Sequence, residues 1–224
     1  MAGKIIVIEG LDGSGKATQA ELLYQRLLAE GKKVKKLTFP RYDSDSSALV
    51  RMYLGGELGD NPDDVNPYAC SAFYAVDRVA SFLSDWKNDY DNGTIFICDR
   101  YSTSNPLYHI SKLPKEKYDE FLFWIDDFEH NRLGVPRADV VVYLDMPTEV
   151  SQNLLSKRYN GNEDKKDLHE KNRDFLERCR TSANYCANKL GWKTISCAEA
   201  GEPKTIEAIS DEIYKLLTFW WMNE

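Results

Sequence analysis

The sequence lacks the cysteine and histidine spacings that mark zinc sites and disulfide frameworks. It contains no C-x-x-C pair and no H-E-x-x-H segment. The five cysteines are Cys70, Cys98, Cys179, Cys186 and Cys197, and the three histidines are His109, His130 and His169. We therefore expect five ordinary reduced thiols and no zinc site.

Positive charge and long apolar runs are also scarce. The formal net charge is -7, whereas a general nucleic-acid binder needs a basic field that displaces counterions from phosphates. The apolar stretch at residues 5–8 is interrupted by Glu9, so it is neither a signal-peptide core nor a membrane span. These features predict a cytoplasmic protein without nucleic-acid or membrane partners.

No internal repeat or low-complexity linker divides the chain. Its 224 residues, 42% of them apolar, suffice for one core, so we expect a single domain over residues 1–224. Apolar runs alternate with helical patterns, which is typical of an α/β fold whose parallel sheet carries helices on both faces. The predicted strands are residues 4–9, 34–38, 94–98, 140–144 and 194–197. The predicted helices are residues 18–30, 67–90, 115–132, 168–190 and 203–218.

A glycine-rich segment between the first strand and the first helix has the G-x-x-x-x-G-K pattern. Glycines let backbone N–H groups turn inward around a polyphosphate, and the following helix directs its N-terminal dipole at it. The lysine then reaches the β and γ phosphates. The predicted ATP-binding residues are Gly10, Asp12, Gly13, Ser14, Gly15, Lys16, Ala17 and Thr18.

One position departs from that pattern. The residue after Lys16 is Ala17, where a Ser or Thr hydroxyl normally holds Mg²⁺. Thr18 lies about 100° further around the helix, so we do not expect it to replace that ligand. Magnesium must then be held by the nucleotide phosphates, water and carboxylates. Asp99, at the end of a predicted strand, and Asp12, inside the loop, are the candidates.

Four further motifs follow in order along the chain. They are F-P-R-Y at 39–42, F-Y-A-V-D-R at 73–78, D-R-Y-S-T-S-N-P-L-Y at 99–108 and D-L-H-E at 167–170. With the glycine-rich loop, they resemble the thymidylate (dTMP) kinase family over most of the chain. The resemblance implies a three-layer P-loop fold with a five-stranded parallel sheet, and magnesium-dependent transfer of the ATP γ-phosphoryl group to dTMP. It also implies a homodimer, for which the apolar residues of the helix at 67–90 could supply the surface.

The resemblance assigns the acceptor site residue by residue. Tyr74 would stack on thymine and Arg78 would bind a base carbonyl, since residues four apart share one helix face. Asn105 would offer its amide to the Watson–Crick edge, and Tyr108 would occupy the space of a ribose 2′-hydroxyl. The remaining predicted contacts to the substrate, including its phosphate and 3′-hydroxyl, are Asp12, Arg41, Tyr42, Arg100 and His169. Arg41 could equally brace its own loop.

The polar segment at residues 158–167 is either a solvated loop or a lid. Some family members carry a catalytic arginine in the P-loop, but Gly13-Ser14 has no basic residue here, so the resemblance implies that a lid at about 157–167 supplies it. The lid candidates are Lys157, Arg158, Lys165 and Lys166. Arg158 is our choice, because a planar guanidinium suits a transferring phosphoryl group. The predicted catalytic residues are Lys16, Arg158, Arg100 and Asp12, and Glu170 joins Asp12 and Asp99 as a predicted metal ligand.

Three alternatives stay open. A deoxynucleoside kinase would need a carboxylate base and no phosphate-binding Arg100, and a kinase for another nucleoside monophosphate would change the base contacts. A P-loop binding protein with little catalysis is the interpretation that Ala17 favours. Adenine contacts are expected around residues 198–204, with no side chains assigned, and the aromatic residues 219–221 have no assigned role.

Overall fold

A five-stranded parallel sheet forms the centre of the molecule, for which a computed structural model describes residues 2–159, 162 and 167–222. Its strands lie in the order β2-β3-β1-β4-β5. They are β1 (Lys4–Gly10), β2 (Val34–Thr38), β3 (Ile95–Asp99), β4 (Val140–Asp145) and β5 (Lys193–Ser196). The predicted α/β fold and the five predicted strands are confirmed, with bounds that agree to about one residue.

Helices cover both faces of this sheet. They are α1 (Lys16–Ala29), α2 (Ala48–Leu54), α3 (Pro67–Ser81), α4 (Lys87–Asp91), α5 (Ser104–His109), α6 (Tyr118–Asp126), α7 (Thr148–Arg158), α8 (Arg173–Leu190) and α9 (Ile206–Met222). Short 3₁₀ turns occupy Asp45–Ser47, Pro62–Asp64, Ile110–Lys112 and Lys115–Lys117, and π turns occupy Phe82–Trp86 and Asp127–Arg132. The two long helices predicted at 67–90 and 115–132 are thus each divided by a change of helix type.

The sequence of β1 explains why both faces are covered. Successive side chains of a strand point to opposite faces, and β1 is apolar on both. Ile6 and Ile8 pack in the cluster that contains α1 and α9 residues. Ile5 and Val7 pack in a second cluster, with Phe96 of β3. A strand that is apolar on both faces has to be covered by other elements on both faces.

Two predicted helix starts are wrong. The helix predicted from residue 168 begins at Arg173, because the Asn172 side chain accepts a hydrogen bond from the Phe175 N–H and caps it. The last helix begins at Ile206 because Glu202–Pro203 pairs with Ala198–Glu199 in a two-stranded ribbon, β6 and β7. The helices α2, α5 and α7 lie outside the predicted ranges. The six or seven residues of α2 and α5 carry too few repeats of a helical period to be recognised.

The strand order determines where ligands can bind. The chain leaves β1 toward β2 on one side and leaves β3 toward β4 on the other, so their following loops diverge. In open α/β sheets the crevice at such a point, beyond the carboxyl ends of the strands, is the usual ligand site. Ile8 pairs with Asp99 in register, which brings the glycine-rich loop next to Arg100.

Three sequence expectations outside the site can be compared with the structure. All five cysteines are buried and none is paired. Trp220 and Trp221 pack partly against the core, whereas Phe219 is 71% exposed. Across residues 2–159, 162 and 167–222, no helix combines the length and apolarity required to cross a bilayer.

Candidate active site

The glycine-rich loop forms a tight turn between β1 and α1. Gly13 and Gly15 have φ of 78° and 85°, in the left-handed region that favours glycine. A Cβ on Gly13 would lie 2.5 Å from the Ser151 carbonyl oxygen, so a larger residue cannot fit there without a shift. Ala17 and Thr18 are exposed. Lys16 is buried, and its Nζ lies 3.3 Å from both the Leu11 carbonyl oxygen and Asp12 Oδ1.

Arg100 joins this loop to the end of β3. Its φ of 65° is unusual for a residue with a side chain, and such conformations cost about 1–3 kcal/mol and cluster at functional sites. The guanidinium forms an ion pair with Asp12. It also donates to Tyr108 Oη at 3.1 Å, and Tyr108 Oη donates to Asp12 Oδ2 at 2.8 Å. Three predicted site residues therefore form one hydrogen-bonded cluster.

Glu9 is a site residue that the sequence reasoning missed. It is fully buried at the end of β1 and lies 3.9 Å from the Arg100 guanidinium. Its Oε2 accepts hydrogen bonds from Thr103 Oγ1 and Ser104 Oγ, each at 2.8 Å. A carboxylate inside an otherwise apolar strand was the available signal, since buried charges need partners.

A cavity of about 320 Å³ opens beside the glycine-rich loop. Lys16, Ala17 and Asp99 line it. The predicted residues that also line it are Asp12, Tyr42, Tyr74, Arg78, Arg100, Asn105, Tyr108, Arg158, His169 and Glu170. The structure therefore brings all but one of the predicted acceptor residues to a cavity that Lys16 of the glycine-rich loop also lines, and Tyr74 and Arg78 share a face of α3 as predicted. The other predicted ATP-binding residues, Gly10, Gly13, Ser14, Gly15 and Thr18, do not line it.

Arg41 is the exception. Its guanidinium donates to Ser81 Oγ at 3.2 Å and lies 3.6 Å from Asp85. It lines a separate, shallow pocket with those two residues. In this arrangement Arg41 braces the segment that carries Tyr42, and its contact to the substrate stays a prediction.

Arg78 and Asn105 are both held by Glu129, a residue that the sequence analysis did not identify. Arg78 donates from Nε and Nη2 to the two Glu129 carboxylate oxygens, at 2.7 Å and 2.8 Å. Asn105 Nδ2 donates to Glu129 Oε1 at 2.6 Å and to the Ser71 carbonyl oxygen at 3.1 Å. Glu129 lies in the π turn after α6, far from every recognised motif, so no sequence signal marked it.

His169 contacts Tyr108 rather than standing alone. The two rings stack at 5.3 Å with an interplanar angle of 20°, and His169 Nε2 hydrogen-bonds Tyr53 Oη at 2.8 Å. Burial, reinforced by the Lys112 charge, lowers the pKa of His169 to about 3. The imidazole is therefore neutral at physiological pH and supports the Tyr108 ring.

The three predicted metal ligands do not gather into one cluster. Within the described ranges, no group of three or more His, Cys, Asp or Glu has the spacing to hold a metal ion. Glu170 is engaged by Tyr159 Oη, at 3.0 Å, and by the Asp167 N–H, at 3.2 Å. Asp99 differs, because its buried Oδ1 has no hydrogen-bond partner among the residues that the structure describes. Those residues therefore offer one such oxygen ligand rather than a three-carboxylate cage.

The predicted lid begins in the last turn of α7, which carries Lys157 and Arg158. Both are exposed. Only Arg158 of these two lines the cavity, and its guanidinium lies 5.5 Å from the Tyr159 ring centroid. The other lid candidates, Lys165 and Lys166, lie outside the described residues.

Two carboxylates of this region have opposite pKa shifts. Burial alone would raise the pKa of Asp12, but the Arg100 and Lys16 charges and the Tyr108 hydrogen bond outweigh it and hold that pKa below its usual range. Burial, and then the charge of Asp12, raise the pKa of Asp167 to about 7. Asp12 is therefore ionised, and Asp167 holds a proton over part of the physiological range.

This difference predicts how stability depends on pH. Between about pH 4 and pH 7, folded Asp167 keeps a proton that the unfolded chain releases, so its contribution to stability falls as pH rises. Asp167→Asn retains an Oδ1 that can accept from the His169 and Glu170 N–H groups, as Asp167 does at 2.9 Å. We expect the free energy of unfolding of Asp167→Asn relative to wild type to increase by roughly 1–3 kcal/mol between pH 5 and pH 8. Chemical denaturation at both pH values measures this, and a pH-independent difference would contradict the assignment.

Comparison with known proteins agrees with the motifs. The family model for thymidylate kinase matches residues 8–213. A thymidylate kinase of Mycobacterium tuberculosis is 32% identical over 189 residues, covering 81% of this chain and 83% of that protein. One from Prochlorococcus marinus is 28% identical over 222 residues, covering 97% and 99%.

The fold of this chain is also similar to that of a solved thymidylate kinase structure. The solved structure of a thymidylate kinase from Candida albicans has a TM-score of 0.71 at 21% identity, covering 100% of this chain and 94% of that one. At that identity the likeness concerns the fold alone. The family match spans most of the chain and includes the glycine-rich loop residues from Gly10 onward. The chain belongs to the thymidylate kinase family.

Proposed function

We propose that this protein transfers the γ-phosphoryl group of ATP to the phosphate of dTMP, giving dTDP and ADP. The observation that carries the proposal is that Lys16 of the P-loop and the base-recognising side chains Tyr74, Arg78 and Asn105 line one cavity. Phosphoryl transfer needs two bound nucleotides held in line rather than covalent help from the protein. A single cavity with both sets of contacts meets that need.

The donor side would be the P-loop. Its left-handed glycines leave backbone N–H groups available to phosphate oxygens, and α1 directs the positive end of its dipole at them. Asp99, with its unpartnered buried oxygen, fits a carboxylate ligand of Mg²⁺ in place of the hydroxyl that Ala17 lacks. Bound Mg²⁺ would neutralise charge on the β and γ phosphates. Lys16 contributes a second positive charge to the same phosphates.

Recognition of the base would use a fixed donor and acceptor pattern. Both N–H bonds of Asn105 Nδ2 are used inside the protein, so only its Oδ1 is left to accept from thymine N3–H. Arg78 uses three of its five N–H bonds on Glu129 and the Tyr101 carbonyl oxygen. Its remaining donors suit the thymine 4-carbonyl. Half-buried Tyr74 offers its ring for stacking.

The sugar and acceptor phosphate would lie between the base contacts and Lys16. Tyr108 is held against the Asp12 carboxylate, where its bulk leaves little room for a 2′-hydroxyl. Arg100 and Tyr42 also line the cavity and would supply a charge and a hydroxyl to the phosphate. No general base is required, because the acceptor phosphate is already anionic.

Arg158 would complete the charge neutralisation. It ends α7 beside the cavity and lies at the start of the segment proposed as a lid at about residues 157–167, within the single domain expected from sequence. Closure would bring its guanidinium onto the γ-phosphoryl group, which spreads its charge over three oxygens in the transition state. The homodimer and the cytoplasmic location stay predictions. Val76 and Leu83, seven positions apart on α3 and the π turn that continues it, are both exposed and are compatible with the expected dimer surface.

Multiple-turnover ADP release across a panel of acceptors tests the proposal. We expect ATP-dependent turnover with dTMP, and a kcat/KM at least about 100-fold lower for dCMP because a site built to hydrogen-bond one pattern leaves its groups unpaired with another. Turnover with thymidine in place of dTMP would indicate a deoxynucleoside kinase. ADP release that does not depend on any monophosphate would indicate a P-loop protein of another kind.

The role of Arg158 can be tested with its neighbour Lys157 as a matched control. We expect Arg158→Ala to lower kcat by roughly 10³-fold with a modest change in ATP affinity, by analogy with arginines that stabilise transferring phosphoryl groups. Lys157→Ala removes a neighbouring charge that does not line the cavity, so its kcat should stay within a few-fold of wild type. Steady-state kinetics at saturating ATP and dTMP measures both. If both variants lower kcat only slightly and to the same extent, Arg158 is not the catalytic arginine and another residue of the lid has that role.

A further inference from the structure

Glu129 is the only anion in direct contact with the base-recognising side chains among the residues that the structure describes. It is fully buried and neutralises Arg78, itself 1% exposed, through two parallel hydrogen bonds. Such a bidentate pair fixes the plane of a guanidinium as well as its charge. The position of Arg78 in the cavity therefore depends on Glu129.

The same carboxylate fixes which way the Asn105 amide points. Asn105 Nδ2 has two neighbours, the Ser71 carbonyl oxygen and Glu129 Oε1, and both can only accept hydrogen bonds. A flipped amide would place its carbonyl oxygen against two other oxygens. Because Asn105 is 1% exposed, bulk water does not screen that repulsion. The nitrogen must face Glu129, and the oxygen must face the ligand.

We propose that Glu129 is a positioning residue that sets base selectivity by holding Asn105 as an acceptor and Arg78 as a donor toward the base. This inference rests on the proposed function, since it concerns the base of the same acceptor nucleotide. The pattern accepts a base with an N–H beside a carbonyl, as in thymine. It rejects one with a bare ring nitrogen beside an amino group, as in cytosine.

Glu129→Gln gives the sharpest test, because glutamine has the same shape as glutamate but carries an NH₂ group in place of one carboxylate oxygen. In either orientation the introduced NH₂ faces a donor: Asn105 Nδ2 and Arg78 Nη2 at the Oε1 position, or Arg78 Nε at the Oε2 position. The charge that neutralises Arg78 is lost as well, so neither the Arg78 plane nor the Asn105 amide is held in one orientation. An Asn105 amide that turns its N–H bonds toward the ligand then becomes accessible, and the ring nitrogen of cytosine could accept them. The substitution therefore predicts a change of preference, which a general loss of packing would not produce.

The probes are dTMP and 5-methyl-dCMP, which differ only at N3 and the 4-substituent. We expect the wild-type kcat/KM for dTMP to exceed that for 5-methyl-dCMP by about 100-fold or more. In Glu129→Gln this ratio should fall at least about 10-fold, mainly through KM for dTMP. Asp126→Asn is the matched control: it removes a carboxylate that also pairs with an arginine, Arg137, in two hydrogen bonds, but on the exposed surface. Its ratio should equal that of wild type.

A conservative variant keeps the test decisive if Glu129→Gln does not fold. Glu129→Asp retains a carboxylate that can only accept, so its ratio should stay within about 3-fold of wild type even if kcat/KM falls for both nucleotides. A collapsed ratio in Glu129→Asp, or an unchanged ratio in folded Glu129→Gln, would overturn the role of Glu129. Absence of wild-type turnover with dTMP would instead overturn the proposed function itself.

Discussion

The ion pair between Arg100 and Asp12 is the contact on which the rest of the site depends. It links the loop after β1 to the loop after β3, and those strands are neighbours in the sheet. Tyr108 donates to the same Asp12 carboxylate, and His169 stacks on Tyr108. Through these contacts one partly buried charge pair positions the donor loop, Tyr108 and the segment before α8 relative to each other.

Charge balance explains how an anionic ligand can enter a site rich in carboxylates. Asp12 is engaged by Arg100 and Lys16, and Glu9 by two hydroxyls with Arg100 close by. Asp99 is the carboxylate left with an unpartnered oxygen, which suits a cation that accompanies the nucleotide. Buried charges are tolerated when they are paired, so the site is organised around positions where substrate phosphate and metal would complete the pairing.

The sequence predicted the features that have local periodicity or a contiguous motif. The five strands follow from apolar runs, the P-loop from its glycine spacing, and the shared face of Tyr74 and Arg78 from their separation of four residues. The short helix α5 was missed, although it carries Asn105, because six residues hold fewer than two turns.

Other parts of the site could not be predicted, because they depend on packing between distant segments. Glu129 reaches Arg78 from 51 positions away, and a glutamate in a polar-looking turn carries no sign of burial. Arg41 shows the converse: an arginine inside a recognised motif has its side chain directed to Ser81 and Asp85. Motif membership locates a backbone segment, whereas the direction of a long side chain depends on which partners lie within reach.

The proposed reaction requires two nucleotides to meet head to head across the Arg100 and Asp12 pair. A crystal structure of the protein with a non-hydrolysable ATP analogue and dTMP tests this requirement most directly. We expect thymine between Tyr74 and Asn105, and a dTMP phosphate oxygen about 3–3.5 Å from the γ-phosphorus, the separation of a near-attack geometry. A dTMP bound outside this cavity, or a phosphate directed away from Lys16, would contradict it.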